Sequence, residues 1–396
     1  MGIRDRVTGS RQGAPISVRV GIMGSSWWAD SMYLPALASH PAGRVVAIAG
    51  RDAAGLAQRW KVAHAFDSYA ALLDSGQVDA VIIATRNDLH CPLALAAMDR
   101  GLHVLCEKPL GLSYREAAEM AARAAAANAL CMTPFTYRYM PVNRYLKQLV
   151  DDGYLGRPLH LNLRYFTGFG QAGGYNWRFD EAVSGSGALG DIAAHFLYLA
   201  WWFFGDISAV SAELGRLVGR APHNMAGAPY VQADDNAMIM LQFANGAQGL
   251  LHASTVAREA TPFGQIHEFD LHGDSGTLHA RVDWASEQRI TGARAGEKAL
   301  HDLPIPDTIW QGVRRDTVHN TYRDVFRGQE AMARQWVTGI ARGEPVRPDF
   351  ADGAIIQRVL DAAKLSHATR RWVAVDEIGS THGLRAARGR RKTGAG

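Results

Sequence analysis

Val104-Leu105-Cys106-Glu107-Lys108-Pro109 is a short apolar strand that ends abruptly in an acid, a base and a proline. Before it, continuous apolar runs alternate with helical patterns. Strands are expected over 18–23, 45–49, 78–84, 103–106 and 130–133. Between them one helix carries Leu34 and Leu37, and another runs through Trp60. Further helices start at 69–73, occupy 92–98 with a stop at Gly101, and fill the alanine-rich 113–129. This alternation predicts a parallel sheet covered on both faces. Ligands of such sheets sit beyond the carboxyl ends of the strands, which is where the Glu-Lys-Pro step lies.

After it, the strands lengthen and alternate, over 159–166, 207–217, 236–243, 249–256 and 265–272. Few helices intervene, so an antiparallel or mixed sheet with one exposed face is expected. A broad exposed face favours a homo-oligomer, dimer or tetramer. Residues 291–312 lack clear periodicity and read as loops, while helices over 322–342 and 353–369 close the domain. The fold class is therefore α/β, with a doubly wound parallel sheet over 16–140. An α+β domain with a large open, mostly antiparallel sheet follows over 141–375, and the ends 1–15 and 376–396 read as disordered tails. No internal repeat is apparent.

A chain of 396 residues is long enough for two ordinary cores. Hydrophobic content of 47% and charged content of 20% suit a soluble globular protein. No run approaches the roughly 18 apolar residues of a membrane span, and no apolar segment follows the N-terminal arginines as a secretory signal requires. The net charge of +4 sits at the ends: 385–396 carry +5 and 1–15 carry +2, which leaves 16–384 at −3. Such tails are solvating, so no nucleic-acid partner is expected. Cys91, Cys106 and Cys131 have no metal-like spacing, nor do the fifteen histidines, and no metal is expected. The cysteine usage points to a reducing compartment and a cytoplasmic protein.

The turn after the first strand reads Gly24-Ser25-Ser26-Trp27-Trp28-Ala29, which keeps only the first glycine of a dinucleotide fingerprint. Gly24 permits the tight turn and small Ala29 permits close helix–strand packing. Ser26 stands where the middle glycine normally lets backbone approach a pyrophosphate, and its hydroxyl can donate to phosphate. The second strand ends at Gly50-Arg51-Asp52. Asp52 suits a ribose 2′-hydroxyl and Arg51 a 2′-phosphate, so the cofactor is NADP or NAD, with Arg51 leaning the choice toward NADP. Each feature alone also fits an ordinary strand–turn–helix with a solvated charged loop.

Thr85-Arg86-Asn87-Asp88-Leu89-His90, followed by a helix and then Glu107-Lys108-Pro109, resembles the glucose–fructose oxidoreductase, inositol dehydrogenase and MocA family. The resemblance continues through Tyr137-Arg138-Tyr139-Met140-Pro141, Trp177-Arg178 and Gly185-Ser186-Gly187-Ala188-Leu189-Gly190-Asp191-Ile192-Ala193-Ala194-His195. It extends through Asp234-Asp235, Leu241-Gln242-Phe243-Ala244-Asn245-Gly246, Gly273-Asp274-Ser275-Gly276-Thr277-Leu278 and Phe350-Ala351-Asp352-Gly353, covering about 16–375. The resemblance implies a Rossmann domain, then a domain whose open sheet often forms an oligomer interface. It also implies reversible hydride transfer between nicotinamide and an oxygen-bearing carbon, commonly of a sugar or polyol. By position Lys108, Asp191 and His195 match the family's catalytic trio, and Asn87 and Glu107 match residues beside the nicotinamide ribose. Thr85, His90 and Arg178 join the cofactor set of Gly24, Ser25, Ser26, Trp27, Trp28, Arg51, Asp52 and Lys108. Ser26 departs from the family's usual glycine, Arg86 from a frequent proline, and Tyr198 from a frequent aspartate, the last arguing against a simple inositol-like substrate.

The residue types suit the chemistry. Oxidising a secondary alcohol needs a cation beside the developing alkoxide and a base tuned near neutral pH. Lys108 can supply the first, and Pro109 biases it toward extended backbone. Asp191 and His195, four apart, share a helical face; His195 can shuttle the proton, and Asp191 can orient the imidazole or hold a substrate hydroxyl. The Gly185–Gly190 segment lets backbone pass close to a ligand. Tyr137, Arg138, Trp177 and Arg178 read as walls of a pocket for a polyhydroxylated ring, and Trp201-Trp202-Phe203-Phe204 as core. Ordinary alternatives stand beside these: a solvated strand-end lysine, a capping aspartate and a packed histidine. Two other functions fit the same features, a lyase or glycosidase using bound NAD in transient redox and a non-catalytic cofactor sensor.

Overall fold

The computed structural model describes residues 17–258, 264–286 and 288–379. The expected tails lie outside them, except for 376–379, where the short turn Val375–Glu377 ends. The first sheet is built from β1 (Val18–Met23), β2 (Gly43–Ala49), β3 (His64–Phe66), β4 (Ala80–Ile83), β5 (His103–Cys106) and β6 (Cys131–Met132). Its order is β3-β2-β1-β4-β5-β6, and every pairing is parallel. The four residues of β4 are all buried, as a strand covered on both faces must be. The intervening helices are α1 (Leu34–Ala38), α2 (Ala53–Trp60), α3 (Tyr69–Asp74), α4 (His90–Met98) and α5 (Tyr114–Ala126). Ser68 and Ser113 cap α3 and α5 by accepting from the amides of Ala71 and Glu116.

The second sheet is formed by β7 (Pro158–Thr167), β8 (Ile207–Gly215), β9 (Asn236–Phe243), β10 (Gln248–Ser254), β11 (Gln265–Gly273), β12 (Gly276–Asp283), β13 (Gln288–Arg294), β14 (His301–Asp302) and β15 (Val373–Ala374). Its order is β14-β13-β12-β11-β7-β10-β9-β8-β15. It is antiparallel except where β7 and β10 pair in parallel. Alternation is clean on β9, whose Ala237, Ile239, Leu241 and Phe243 are buried while Met238 and Met240 face outward. The helices of this half are α6 (Pro141–Asp151), α7 (Glu181–Ser184), α8 (Ala194–Phe204), α9 (Asp307–Trp310), α10 (Val318–Gly328), α11 (Ala333–Arg342) and α12 (Phe350–Thr369).

Residues 291–312 are not all loop: they contain most of β13, all of β14 and α9. The expected helix over 322–342 is two helices. Gly328 ends α10, and Met332 takes a left-handed φ of 47° before α11 starts. These late helices do not stay with the second sheet. α10 and α11 pack against α1, and α11 reaches β1 and β5. Gly43 lies so close that a Cβ there would sit 2.3 Å from Val337. Trp336 is fully buried and donates to the Leu130 carbonyl at 3.0 Å, while Arg334 donates to the Ala36 carbonyl at 2.8 Å. Helices α10 and α11 thus pack over the first sheet and tie the late part of the chain to it.

Candidate active site

The dinucleotide turn is built as its first glycine demands. Gly24 has φ +112°, and a Cβ there would lie 2.3 Å from the Ala84 carbonyl. Only glycine fits, and it lets the turn lie across the carboxyl ends of β1 and β4. Ser25 Oγ accepts from the Asp52 amide at 2.9 Å, tying this turn to the end of β2. Ser26, Arg51 and Asp52 are exposed around it, and Trp27 is 70% exposed. Thr85 is half-buried, its hydroxyl on the Arg86 carbonyl at 3.1 Å. A tight glycine turn with donors and a cation at its rim fits a dinucleotide diphosphate.

Lys108 follows β5 through a cis Lys108–Pro109 bond. Its Nζ donates to Asp191 Oδ1 at 2.9 Å and to the Asp191 carbonyl at 2.7 Å. Arg178 Nε lies 3.3 Å from the other carboxylate oxygen. Asp191 is thus held between two cations. Burial alone would raise it, but Lys108 and Arg178 outweigh that and bring its pKa down to about 2. Arg178 stacks on Trp177, its carbon 4.7 Å from the ring centroid. A π-helical turn, Leu189–Ala193, carries Asp191 into α8, where His195 follows.

His195 is buried, and burial followed by the Lys108 charge pushes it well below the ordinary histidine range. It makes no hydrogen bond to Asp191 or to any other described residue, and its Nδ1 is buried without a partner. Aromatic rings surround it: Tyr137 at 4.6 Å and Phe135, edge-on, at 6.3 Å. The expectation that Asp191 orients the imidazole is therefore corrected, because both carboxylate oxygens face cations.

Other expected residues are redistributed. Tyr137 is buried, its hydroxyl 2.7 Å from that of Tyr165 and donating to Gln265 at 3.2 Å, so it supports His195 rather than walling an open pocket. Arg138, next in the same tight turn, points elsewhere and donates to Tyr198 at 2.6 Å beside Trp202. Tyr198 itself stacks on Phe135 at 4.4 Å. His90 is 0% exposed and cannot line a cofactor cleft; its Nδ1 donates to the Pro109 carbonyl at 2.9 Å, bracing the loop after Lys108. Asn87 is also buried and donates to the Ser184 carbonyl at 2.9 Å, joining the two halves. Glu107 is buried, with Trp28 and Tyr33 on one oxygen. The glycines of 185–190 serve packing more than ligand approach: a Cβ on Gly187 would sit 1.7 Å from the Asp234 carbonyl. Behind that loop a cavity of about 390 Å³ lies between β8 and α12 and includes none of Lys108, Asp191 and His195. Tyr33, Tyr165, Gln265 and His267 were not singled out by the sequence. Only Tyr33 carried a signal, as an aromatic one turn beyond the fingerprint.

Residues 18–135 match a model described as an oxidoreductase family with an NAD-binding Rossmann fold, and 143–279 match the GFO/IDH/MocA C-terminal domain. The chain is 29% identical over 362 residues to the levoglucosan dehydrogenase of Pseudarthrobacter phenanthrenivorans, covering 85% of this chain and 90% of that enzyme. It is 33% identical over 365 residues to the D-xylose 1-dehydrogenase (NADP(+)) 2 of Haloferax volcanii, covering 90% and 99%. A solved levoglucosan dehydrogenase in complex with NADH and levoglucosan superposes with a TM-score of 0.79 at 26% identity, over 91% of this chain and 99% of that one.

Three buried histidines are held below their ordinary pKa by burial: His90 at about 4, His267 at about 3, and His195. A depressed folded pKa means the unfolded chain binds more protons, so this stability is complete above the unfolded value of about 6.5 and is lost as pH falls below it. Each histidine then contributes about 1.4 kcal/mol of loss per pH unit. The midpoint of thermal unfolding is expected to fall steeply between about pH 6.5 and about pH 5. A flat midpoint across that window would contradict the burial of these groups in neutral form.

Proposed function

The chain belongs to the GFO/IDH/MocA family of oxidoreductases, and from that premise we propose that it moves hydride between a nicotinamide dinucleotide and a CH–OH or ketone carbon of a sugar or sugar-like substrate. The observation that carries this reading is the Lys108 ammonium 2.9 Å from Asp191, beside a buried neutral His195 at the carboxyl end of a dinucleotide-binding sheet. The bound dinucleotide supplies the carbon that takes or gives hydride. Lys108 stabilises negative charge developing on the substrate oxygen. His195, poised neutral, takes the hydroxyl proton at Nε2. Asp191 stays ionised and keeps Lys108 and Arg178 in register. Trp177 and Arg178 offer an aromatic face and donors to a hydroxylated ring.

Residues 16–140 form the dinucleotide-binding unit in this reading, and 141–375 the substrate and oligomerisation unit. Exposed Arg51 beside the tight turn favours NADP over NAD through its reach to a 2′-phosphate. On the outer face of the second sheet Met238, Met240 and Leu250 are 43%, 46% and 45% exposed. Met240 and Leu250 are cross-strand partners, so the apolar patch is continuous and suits a second copy of the chain. Among the described residues no helix is long and apolar enough to cross a membrane. The three free, buried cysteines suit a reducing cytoplasm.

Lys108→Met is expected to lower kcat at least about a thousandfold while calorimetry still finds cofactor binding; retained turnover would sink the assignment. The screen is a panel of sugars, polyols and keto-sugars followed by reduced-nicotinamide absorbance; product without net absorbance change would point instead to transient redox. Arg51→Glu is expected to raise KM for NADP(H) at least about tenfold and leave that for NAD(H) nearly unchanged, and equal effects on both would remove the NADP preference. Met240→Glu is expected to shift the mass measured by light scattering toward the monomer; an unchanged oligomer would place the interface elsewhere.

A further inference from the structure

We propose that Trp28 and Tyr33 are positioning residues that couple occupancy of the dinucleotide turn to the placement of Lys108; this rests on the dinucleotide-dependent reading above. β5 ends at Cys106, and Glu107, a buried carboxylate, follows it immediately before Lys108. Its Oε1 accepts from Trp28 Nε1 at 2.6 Å and from the Tyr33 hydroxyl. Its Oε2 accepts from the Lys108 backbone amide at 3.2 Å. Both donors to Oε1 come from the segment that leaves β1. β4 lies between β1 and β5 in the sheet, so the indole and the phenol reach over the end of a whole strand, roughly 10 Å across at ordinary spacing.

The local helix geometry explains how two donors meet one oxygen. Trp28 and Tyr33 are five residues apart. In an α-helix that separation rotates side chains about 140° apart. Here Ala29–Tyr33 is π-helical, with the Leu34 amide closing onto the Ala29 carbonyl. Residues five apart then return to nearly the same side. The rare turn is thus what aims both groups at Glu107. Burial raises the Glu107 pKa, while Lys108, Tyr33 and Trp28 oppose that rise. Removing either donor leaves a buried acid under-satisfied beside the lysine backbone it steadies. Trp28 also begins the helix that opens from Gly24–Ser26, so a diphosphate seated on that turn acts on Trp28, through it on Glu107, and so on Lys108.

The test compares the parent protein with full-length Trp28→Phe, Tyr33→Phe and the double variant. Calorimetry measures binding of ADP, NAD⁺ and NADP⁺, and hydrogen exchange follows residues 104–112 with and without ADP, which fills the diphosphate turn but carries no nicotinamide. Expected of Tyr33→Phe are nucleotide Kd values within about threefold of the parent, substrate KM likewise, and kcat lower by at least about tenfold. ADP should slow exchange over 104–112 in the parent and fail to do so in the double variant. Equal slowing in the double variant, or ADP binding to the parent with no effect on that segment, would overturn the coupling and leave the dehydrogenase reading standing. No heat from any of the three nucleotides would overturn both. If the double variant does not fold, Tyr33→Phe, which removes a single oxygen, carries the same comparison.

Discussion

The carboxylate of Asp191, shared by Lys108 from the first domain and Arg178 from the second, is the contact on which the rest of the site depends. It is half-buried, and two cations compensate it, Lys108 by a hydrogen bond at 2.9 Å and Arg178 as an ion pair at 3.3 Å. Removing either partner would leave charge poorly matched in a partly desolvated cleft, which costs far more than an exposed ion pair yields. The pair therefore fixes where the lysine can stand. It also frees the imidazole of His195 from a carboxylate partner, leaving burial and aromatic contacts to keep that ring neutral and oriented.

The scaffold reinforces this contact at both ends. The chain's late helices return to the first sheet through Trp336, Arg334 and Val337, so the two domains share one continuous core. Asn87 joins Ser184, and Lys364 on α12 donates to the Gly185 carbonyl at 2.9 Å, anchoring the segment that leads to Asp191. Two π-helical turns, Ala29–Tyr33 and Leu189–Ala193, open the helices that follow the dinucleotide turn and the glycine segment. Such turns are rare and gather at functional sites, and the first re-aims two donors that a regular helix would spread apart.

The parallel sheet and the long strands of the second sheet were legible because their apolar periodicity is undiluted, as in β4 and β9. β13 was not, since one of its inward positions is Gly292, which leaves no apolar mark in the pattern yet is required beneath Leu303 and Tyr154. The break at Met332 carries no helix-breaking residue, although Gly328 just upstream was a usable sign. Lys108 and Asp191 were legible through order and spacing and do meet, at 2.9 Å, with His195 near enough for both charges to act on it. His90 and Arg138 were misplaced because residue type says nothing about which way a side chain turns: His90 points into the core toward Pro109, and Arg138 toward Tyr198. Tyr33 showed only as an aromatic one turn beyond the fingerprint, because its role depends on a π turn that no propensity signals.

The most direct measurement is a crystal structure of the protein soaked with reduced nicotinamide dinucleotide. The expected result is a nicotinamide ring inside the cleft, within roughly 3–4 Å of Lys108 Nζ, with His195 facing the space a substrate carbon would fill. A dinucleotide bound with its nicotinamide outside the cleft, or Lys108 turned away from Asp191 and His195 in that complex, would contradict the convergence on which the proposed chemistry stands.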